Sequence, residues 1–130
     1  MGRPLKRILY VEDEPDIQAI AKLTLENIGQ YDVKLCSSGN EALASIKGFE
    51  PDLVLLDVMM PEMDGPTTLK ELRKLPEGKN LPIIFMTAKV QPSEVEHYKD
   101  LGAIGVIAKP FDPMTLSNTV NQLWQENQPA

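Results

Sequence analysis

Short apolar runs alternate with amphipathic stretches along the whole of this chain. Arg7 to Val11 reads as a strand, and Asp32 to Cys36 as a second, shorter one. Asp52 to Asp57 is the strongest: its apolar residues are consecutive, as a strand buried on both faces requires. Leu81 to Thr87 and Ile104 to Ala108 complete the strands. The stretches between them have helical period. Glu14 to Ile28 carries Ile17, Ile20, Ala21, Leu25 and Ile28 on one stripe and stops at Gly29. Gly39 to Lys47 turns Ala42, Leu43 and Ile46 inward, and Asp64 to Leu75 does so with Leu69, Leu72 and Leu75. Pro92 to Leu101 opens on a proline and ends before Gly102. The last helix runs from Asp112 to Gln125, with Asp112 as N-cap and Pro113 in the first helical position.

Five β-α units in succession predict an α/β fold, a doubly wound, five-stranded parallel sheet with helices on both faces. Right-handed crossovers set its topology. With 130 residues, 42% of them hydrophobic and 25% charged, the chain is expected to form one domain over residues 1–130. The net charge of -6 and the lack of a basic stripe argue against a nucleic-acid partner. No apolar run reaches the length that spans a bilayer. Met1 to Tyr10 lacks the apolar core of a signal peptide, and Lys6 stands where myristoylation wants Ser or Thr. A cytoplasmic location is therefore expected, and the single cysteine, Cys36, suits a reducing compartment.

In parallel sheets of this kind, ligand chemistry gathers at the carboxyl ends of the strands. Those ends carry Glu12 and Asp13, Asp57, Thr87 and Lys109. Three carboxylates at one edge repel one another. A hard cation with oxygen ligands removes the conflict, and Mg²⁺ fits, held by one or two carboxylates, waters and a substrate phosphate. With Lys109 adding positive charge, the pocket could accept a dianionic phosphoryl group. Asp57, ending the most buried strand, is the candidate nucleophile, since carboxylates form acyl phosphates. Thr87 can donate a hydrogen bond to a phosphoryl oxygen, and Lys109 can pair with another. Glu12 and Asp13 are assigned to the metal, Asp13 directly and Glu12 through water. Taken one at a time, each residue has a plainer reading as a cap, a strand former or a solvated surface group. Their joint arrival on one edge favours the chemical one.

Four segments resemble the bacterial response-regulator receiver domain: Val11-Glu12-Asp13-Glu14, Leu55 through Asp57 to Gly65, Met86-Thr87-Ala88 and Lys109-Pro110-Phe111. The resemblance implies a flavodoxin-like (βα)5 fold and phosphotransfer to Asp57 from a phosphohistidine on a histidine kinase or histidine phosphotransfer protein. It implies that the backbone carbonyl of Met59 joins the metal ligands and that the Lys109–Pro110 bond is cis. It also marks Met59 and Lys89 as pocket-flanking positions that influence the lifetime of the phosphoryl group. No output domain is expected after the last helix. The product would be a changed surface read by a downstream target protein, or a phosphoryl group passed on in a phosphorelay, from a monomer or a phosphorylation-dependent dimer.

One position departs from the family. Three residues before the lysine, where a Tyr or Phe is common, stands Val106, which is stiff about χ1. The expectation is that the signal leaves through the loop from Ala88 to Pro92 and the helix after it. The plainer alternative makes Val106 an ordinary strand residue. His97 reads as a surface residue without a metal partner, and Trp124 as a core residue of the last helix. An enzyme rival, a phosphatase of the haloacid dehalogenase type, needs a second Asp where Met59 stands. No other residue suits general-acid work, so the chain is read as a phosphoacceptor and not as an enzyme that turns over phosphate esters. A flavin-binding rival needs a phosphate-cradling loop after the first strand, where Glu12-Asp13-Glu14 would repel phosphate. A docking-only receiver that has lost phosphorylation is disfavoured by the complete set of Asp57, Thr87 and Lys109.

Overall fold

The computed structural model describes residues 3–128, so Met1 and Gly2, where the lipidation question falls, lie outside it. Its strands are β1 (Arg7–Val11), β2 (Asp32–Cys36), β3 (Leu53–Asp57), β4 (Ile83–Thr87) and β5 (Gly105–Ala108). They form one parallel sheet in the order β2-β1-β3-β4-β5. The helices are α1 (Pro15–Asn27), α2 (Gly39–Phe49), α3 (Gly65–Arg73), α4 (Pro92–Asp100) and α5 (Leu116–Glu126). The doubly wound, flavodoxin-like fold read from the sequence is the one observed. The strand order reverses between β1 and β3, and the crevice outside that point is where such sheets bind ligands.

Strand alternation divides the core into two layers. Leu9, Val11, Val54, Leu56, Ile83 and Phe85 pack with Ala42 and Ile46 of α2, Leu69 and Leu72 of α3 and Tyr98 of α4. Ile8, Tyr10, Leu53, Leu55, Ile84 and Met86 pack with Ala21 and Leu25 of α1 and Leu116, Val120 and Trp124 of α5. All five residues of β3 are buried, which accounts for its unbroken apolar run. Asp57 continues that strand to the sheet edge, paired in register with Met86. Gly65 makes the loop after it possible, because a Cβ there would stand 2.6 Å from the Asp57 carbonyl oxygen.

Several expected boundaries and faces move. The continuous helix α5 begins at Leu116 with Thr115 as its N-cap, not at Pro113 behind Asp112. Asp112 closes a separate turn instead: its carboxylate accepts from the Met114 N–H at 2.9 Å, and its carbonyl from those of Thr115 and Leu116 at 3.1 and 3.0 Å. Asp52 falls outside β3, because its carboxylate takes the N–H groups of Lys6 and Arg7 at 3.1 and 2.9 Å and fastens the base of β1. On α1 only part of the apolar stripe is covered. Ala21 and Leu25 are buried, whereas Ile20 and Ile28 lie nearly half exposed at the margins of the face. The left-handed turn after α1 is taken by Gln30 (φ 59°), one residue beyond the expected Gly29. The Lys109–Pro110 bond is cis, as the resemblance implies. His97 is exposed, Trp124 is buried, and Val106 is a half-buried strand residue against the α2–α4 layer.

The far end of the sheet is held by Arg73 at the end of α3. Its guanidinium donates to the carbonyls of Gly78 at 2.9 Å, Leu81 at 2.7 Å and Gly102 at 3.3 Å, joining two loops. Burial lowers its pKa from the ordinary arginine value. Arg73→Met should lower unfolding free energy by about 2–3 kcal/mol, since it removes a charged donor and strands three carbonyls. Urea denaturation of the two proteins at neutral pH measures this directly.

Candidate functional site

The period of two along the strands brings the polar residues together. Tyr10, Leu55 and Ile107 belong to the α1/α5 layer. Two residues further along the chain stand Glu12, Asp57 and Lys109, which meet beyond the edge of the sheet. The Lys109 ammonium donates to Glu12 Oε1 at 2.8 Å and to Asp57 Oδ1 at 3.1 Å. Glu12 is fully buried and Asp57 is 2% exposed, so one lysine serves two buried carboxylates.

Both oxygens of Glu12 are engaged. Oε1 also accepts from the Tyr10 hydroxyl at 3.4 Å, and Oε2 accepts from the Glu14 N–H at 3.2 Å. Its backbone is braced as well: the N–H donates to Cys36 at 2.9 Å, and the carbonyl accepts from the Gln18 side chain. Gln18 also donates to Ser37 Oγ at 3.2 Å, tying α1 to the ends of β1 and β2. Asp13 is half-buried, and among the described residues no side-chain donor reaches its carboxylate. Glu12, Asp13 and Asp57 each place a carboxylate oxygen within 4.8 Å of the others, a hard-oxygen set that could hold a metal ion.

Burial and neighbouring charge together account for the titration of the cluster. Burial, then the negative charge of Glu12, raises the Asp57 carboxyl to about 6 from its ordinary 3.8, although Lys109 pulls it back. Burial works against the Lys109 ammonium, but its bonds to Glu12 and Asp57 prevail and raise its pKa. Burial and the two carboxylates push the Tyr10 phenol well above its ordinary value.

Thr87 and Met59 make no side-chain hydrogen bond to Glu12, Asp57 or Lys109. Thr87 is buried at the end of β4, its carbonyl accepting the Lys109 N–H at 2.9 Å. Its hydroxyl accepts from the Lys89 N–H at 3.1 Å and is not bonded to Asp57. Met59 lies in the loop after β3 and is 75% exposed. Sequence reasoning missed Tyr10 and Gln18. The first was legible, because strand alternation puts Tyr10 on the face of Glu12; the second needed the packing of α1.

The raised Asp57 carboxyl has a stability consequence in cation-free protein. The folded state binds that proton more tightly than the unfolded state, so this group's stabilisation is complete below pH 4 and is lost as pH rises toward 6. Above that, an ionised Asp57 weakens the fold. Without divalent cations, Asp57→Asn should therefore be more stable than the parent at pH 7 by on the order of 1–3 kcal/mol. The gap should close between pH 6 and pH 4 in urea titrations. An Asn variant less stable at pH 7 would contradict the assignment.

Residues 8–121 match the family model described as the response regulator receiver domain. The alkaline phosphatase synthesis transcriptional regulatory protein PhoP of Bacillus subtilis is 36% identical over 125 residues, covering 96% of this chain and 51% of that protein. The chain spans about half the length of the curated relatives it matches. The chemotaxis response regulator CheY4 of Vibrio cholerae superposes with a TM-score of 0.83 at 33% identity, covering 92% of this chain and 98% of that one. A putative response regulator from Chloroflexus aurantiacus gives 0.81 at 34% identity, with 95% and 99% covered. Among the described residues no helix is long and apolar enough to cross a membrane. With the family model matching most of its length and a solved relative superposing over nearly all of both chains, the chain belongs to the response regulator receiver domain family of two-component systems.

Proposed function

We propose that Asp57 accepts a phosphoryl group from a phosphohistidine of a histidine kinase or histidine phosphotransfer protein, with Mg²⁺ as the cofactor. The observation that carries this reading is the pair of buried carboxylates, Glu12 and Asp57, sharing the single ammonium of Lys109. Such a cluster has negative charge in excess and is complete only with a cation. Asp13, Asp57 and the Met59 carbonyl would hold it, with Glu12 acting through water because both its oxygens already have donors. When bound, Mg²⁺ supplies charge neutralisation between the carboxylates and the phosphoryl oxygens. An Asp57 carboxylate oxygen forms the new bond to phosphorus as the P–N bond breaks, its electron pair staying on the imidazole. Lys109 and the Thr87 hydroxyl meet phosphoryl oxygens, which is positioning and charge work of the kind this reaction needs.

Residues 1–130 act in this reading as one receiver unit, monomeric or dimerising when phosphorylated. Its phosphoryl state is read by a target protein or passed on in a phosphorelay. No general acid accompanies Asp57, so the unit serves as an acceptor and does not turn over external phosphate esters. The buried Cys36 thiol suits a cytoplasmic setting.

Output follows from one hydrogen bond. The Thr87 hydroxyl now holds the Lys89 N–H, and turning it toward a phosphoryl oxygen releases that loop. Phe85, two residues earlier on β4, packs against Tyr98 of α4 with tilted rings whose centroids are 5.1 Å apart, so movement of β4 reaches that helix. Val106 offers no aromatic swing, which leaves the stretch of residues 88–101 as the route.

Intact mass after incubation with acetyl phosphate and Mg²⁺ should show one added phosphoryl group. The addition should be missing from Asp57→Asn and from protein kept without magnesium. A gain that survives in the Asp57→Asn variant would place the chemistry elsewhere. Amide NMR spectra with and without the phosphoryl group should differ across residues 88–101, and unchanged positions there would refute the output route.

A further inference from the structure

We propose that Tyr10 is a positioning residue whose buried hydroxyl steadies Glu12 when Lys109 turns from it toward a phosphoryl group on Asp57. This rests on the phosphoacceptor reading above. Tyr10 is fully buried in the apolar α1/α5 layer. A phenol hydroxyl in such a place requires a partner. The one it has among the described residues is Glu12 Oε1, at 3.4 Å, which is long for a hydroxyl facing a carboxylate. The same oxygen accepts Lys109 at 2.8 Å, so in the free protein the lysine is the stronger donor.

A phosphoryl group on Asp57 changes this balance. Lys109 must then divide its attraction between Glu12 and the new oxygens. A buried carboxylate that loses its cation is strongly destabilised. Glu12 would keep the Glu14 N–H at 3.2 Å and the Tyr10 hydroxyl. Charge-assisted O–H···O⁻ bonds settle at about 2.5–2.7 Å, so the hydroxyl has room to tighten as the lysine withdraws. Phenylalanine would fill the same space without that donor. The difference between the two residues should therefore be small in the free protein and large in the phosphorylated one. A tyrosine that merely filled the core would show no such difference.

Beryllofluoride with Mg²⁺, titrated by calorimetry into the full chain, serves as the probe of the phosphorylated state. Tyr10→Phe should bind it about tenfold more weakly, the loss of one hydrogen bond to a charged group. In a Glu12→Gln background, adding Tyr10→Phe should cost no further affinity, because the charge that the hydroxyl serves has gone. On the unsubstituted chain, the Tyr10 ring-carbon resonance nearest the hydroxyl should shift on beryllofluoride binding, a measurement that needs no variant to fold. Equal affinity of parent and Tyr10→Phe, an undiminished loss in the Glu12→Gln background, or an unmoved Tyr10 resonance would each overturn this inference. Acetyl phosphate labelling separates the two readings. A parent chain that takes up neither phosphoryl group nor beryllofluoride overturns both, whereas a parent that takes up both beside an unaffected Tyr10→Phe overturns only the role of Tyr10.

Discussion

Two carboxylates buried side by side with one ammonium between them set the terms for the rest of this molecule. Glu12 and Asp57 would repel each other in the open, and burial makes the repulsion worse. Lys109 meets both but cannot neutralise both. The arrangement persists because the sheet beneath it is over-determined. β1 and β3 lie at its centre, β3 is buried along its whole length, and Gly65 presses the following loop against the Asp57 carbonyl. Apolar burial on both faces thus holds an electrostatic arrangement that the polar groups alone would not choose. The imbalance is also what gives the site its chemistry, because a cluster short of positive charge favours a cation.

The two faces of the sheet carry different parts of that chemistry. On the α1/α5 face, Tyr10, Glu12, Asp57 and Lys109 form a continuous polar column above an apolar layer. Thr87 follows Phe85 on the opposite face; its hydroxyl holds the Lys89 N–H of the loop into α4, and Phe85 packs against Tyr98. In the proposed reading, charge would be managed on one side and movement on the other, the two meeting at the strand ends.

The strands and the site were legible for one reason, the preference of buried parallel strands for unbroken apolar runs. Wherever such a run stopped at a polar residue, as at Glu12, Asp57 and Lys109, that residue joined the polar cluster of the candidate site. Helix faces were less legible. Ile20 and Ile28 share the period of Ala21 and Leu25, yet they lie at the edges of the contact, where period cannot tell covered from uncovered. Asp112 and Pro113 have the local chemistry of a helix start, but the carboxylate is spent closing its own turn and the helix waits until Leu116. Arg73 was not legible at all. Its three acceptors are backbone carbonyls from two loops, and no residue type announces those. The order of the elements is written in short-range pattern, while the clamps between loops depend on how the chain closes in space.

The chain's single tryptophan has a consequence for how the molecule can be watched. Trp124 is 2% exposed, its indole N–H donates to the Arg3 carbonyl at 2.9 Å, and the Arg3 guanidinium lies 5.8 Å from its ring. This clasp joins the start of the described chain to α5 at the base of the sheet, a strand's length, roughly 17 Å, from the carboxylates. Ultraviolet emission from the native chain therefore registers the clasp and the core behind it. It would follow a denaturant curve closely and stay almost flat through a saturating ligand titration, so an optical binding assay on this receiver would need a fluorophore introduced at the other end.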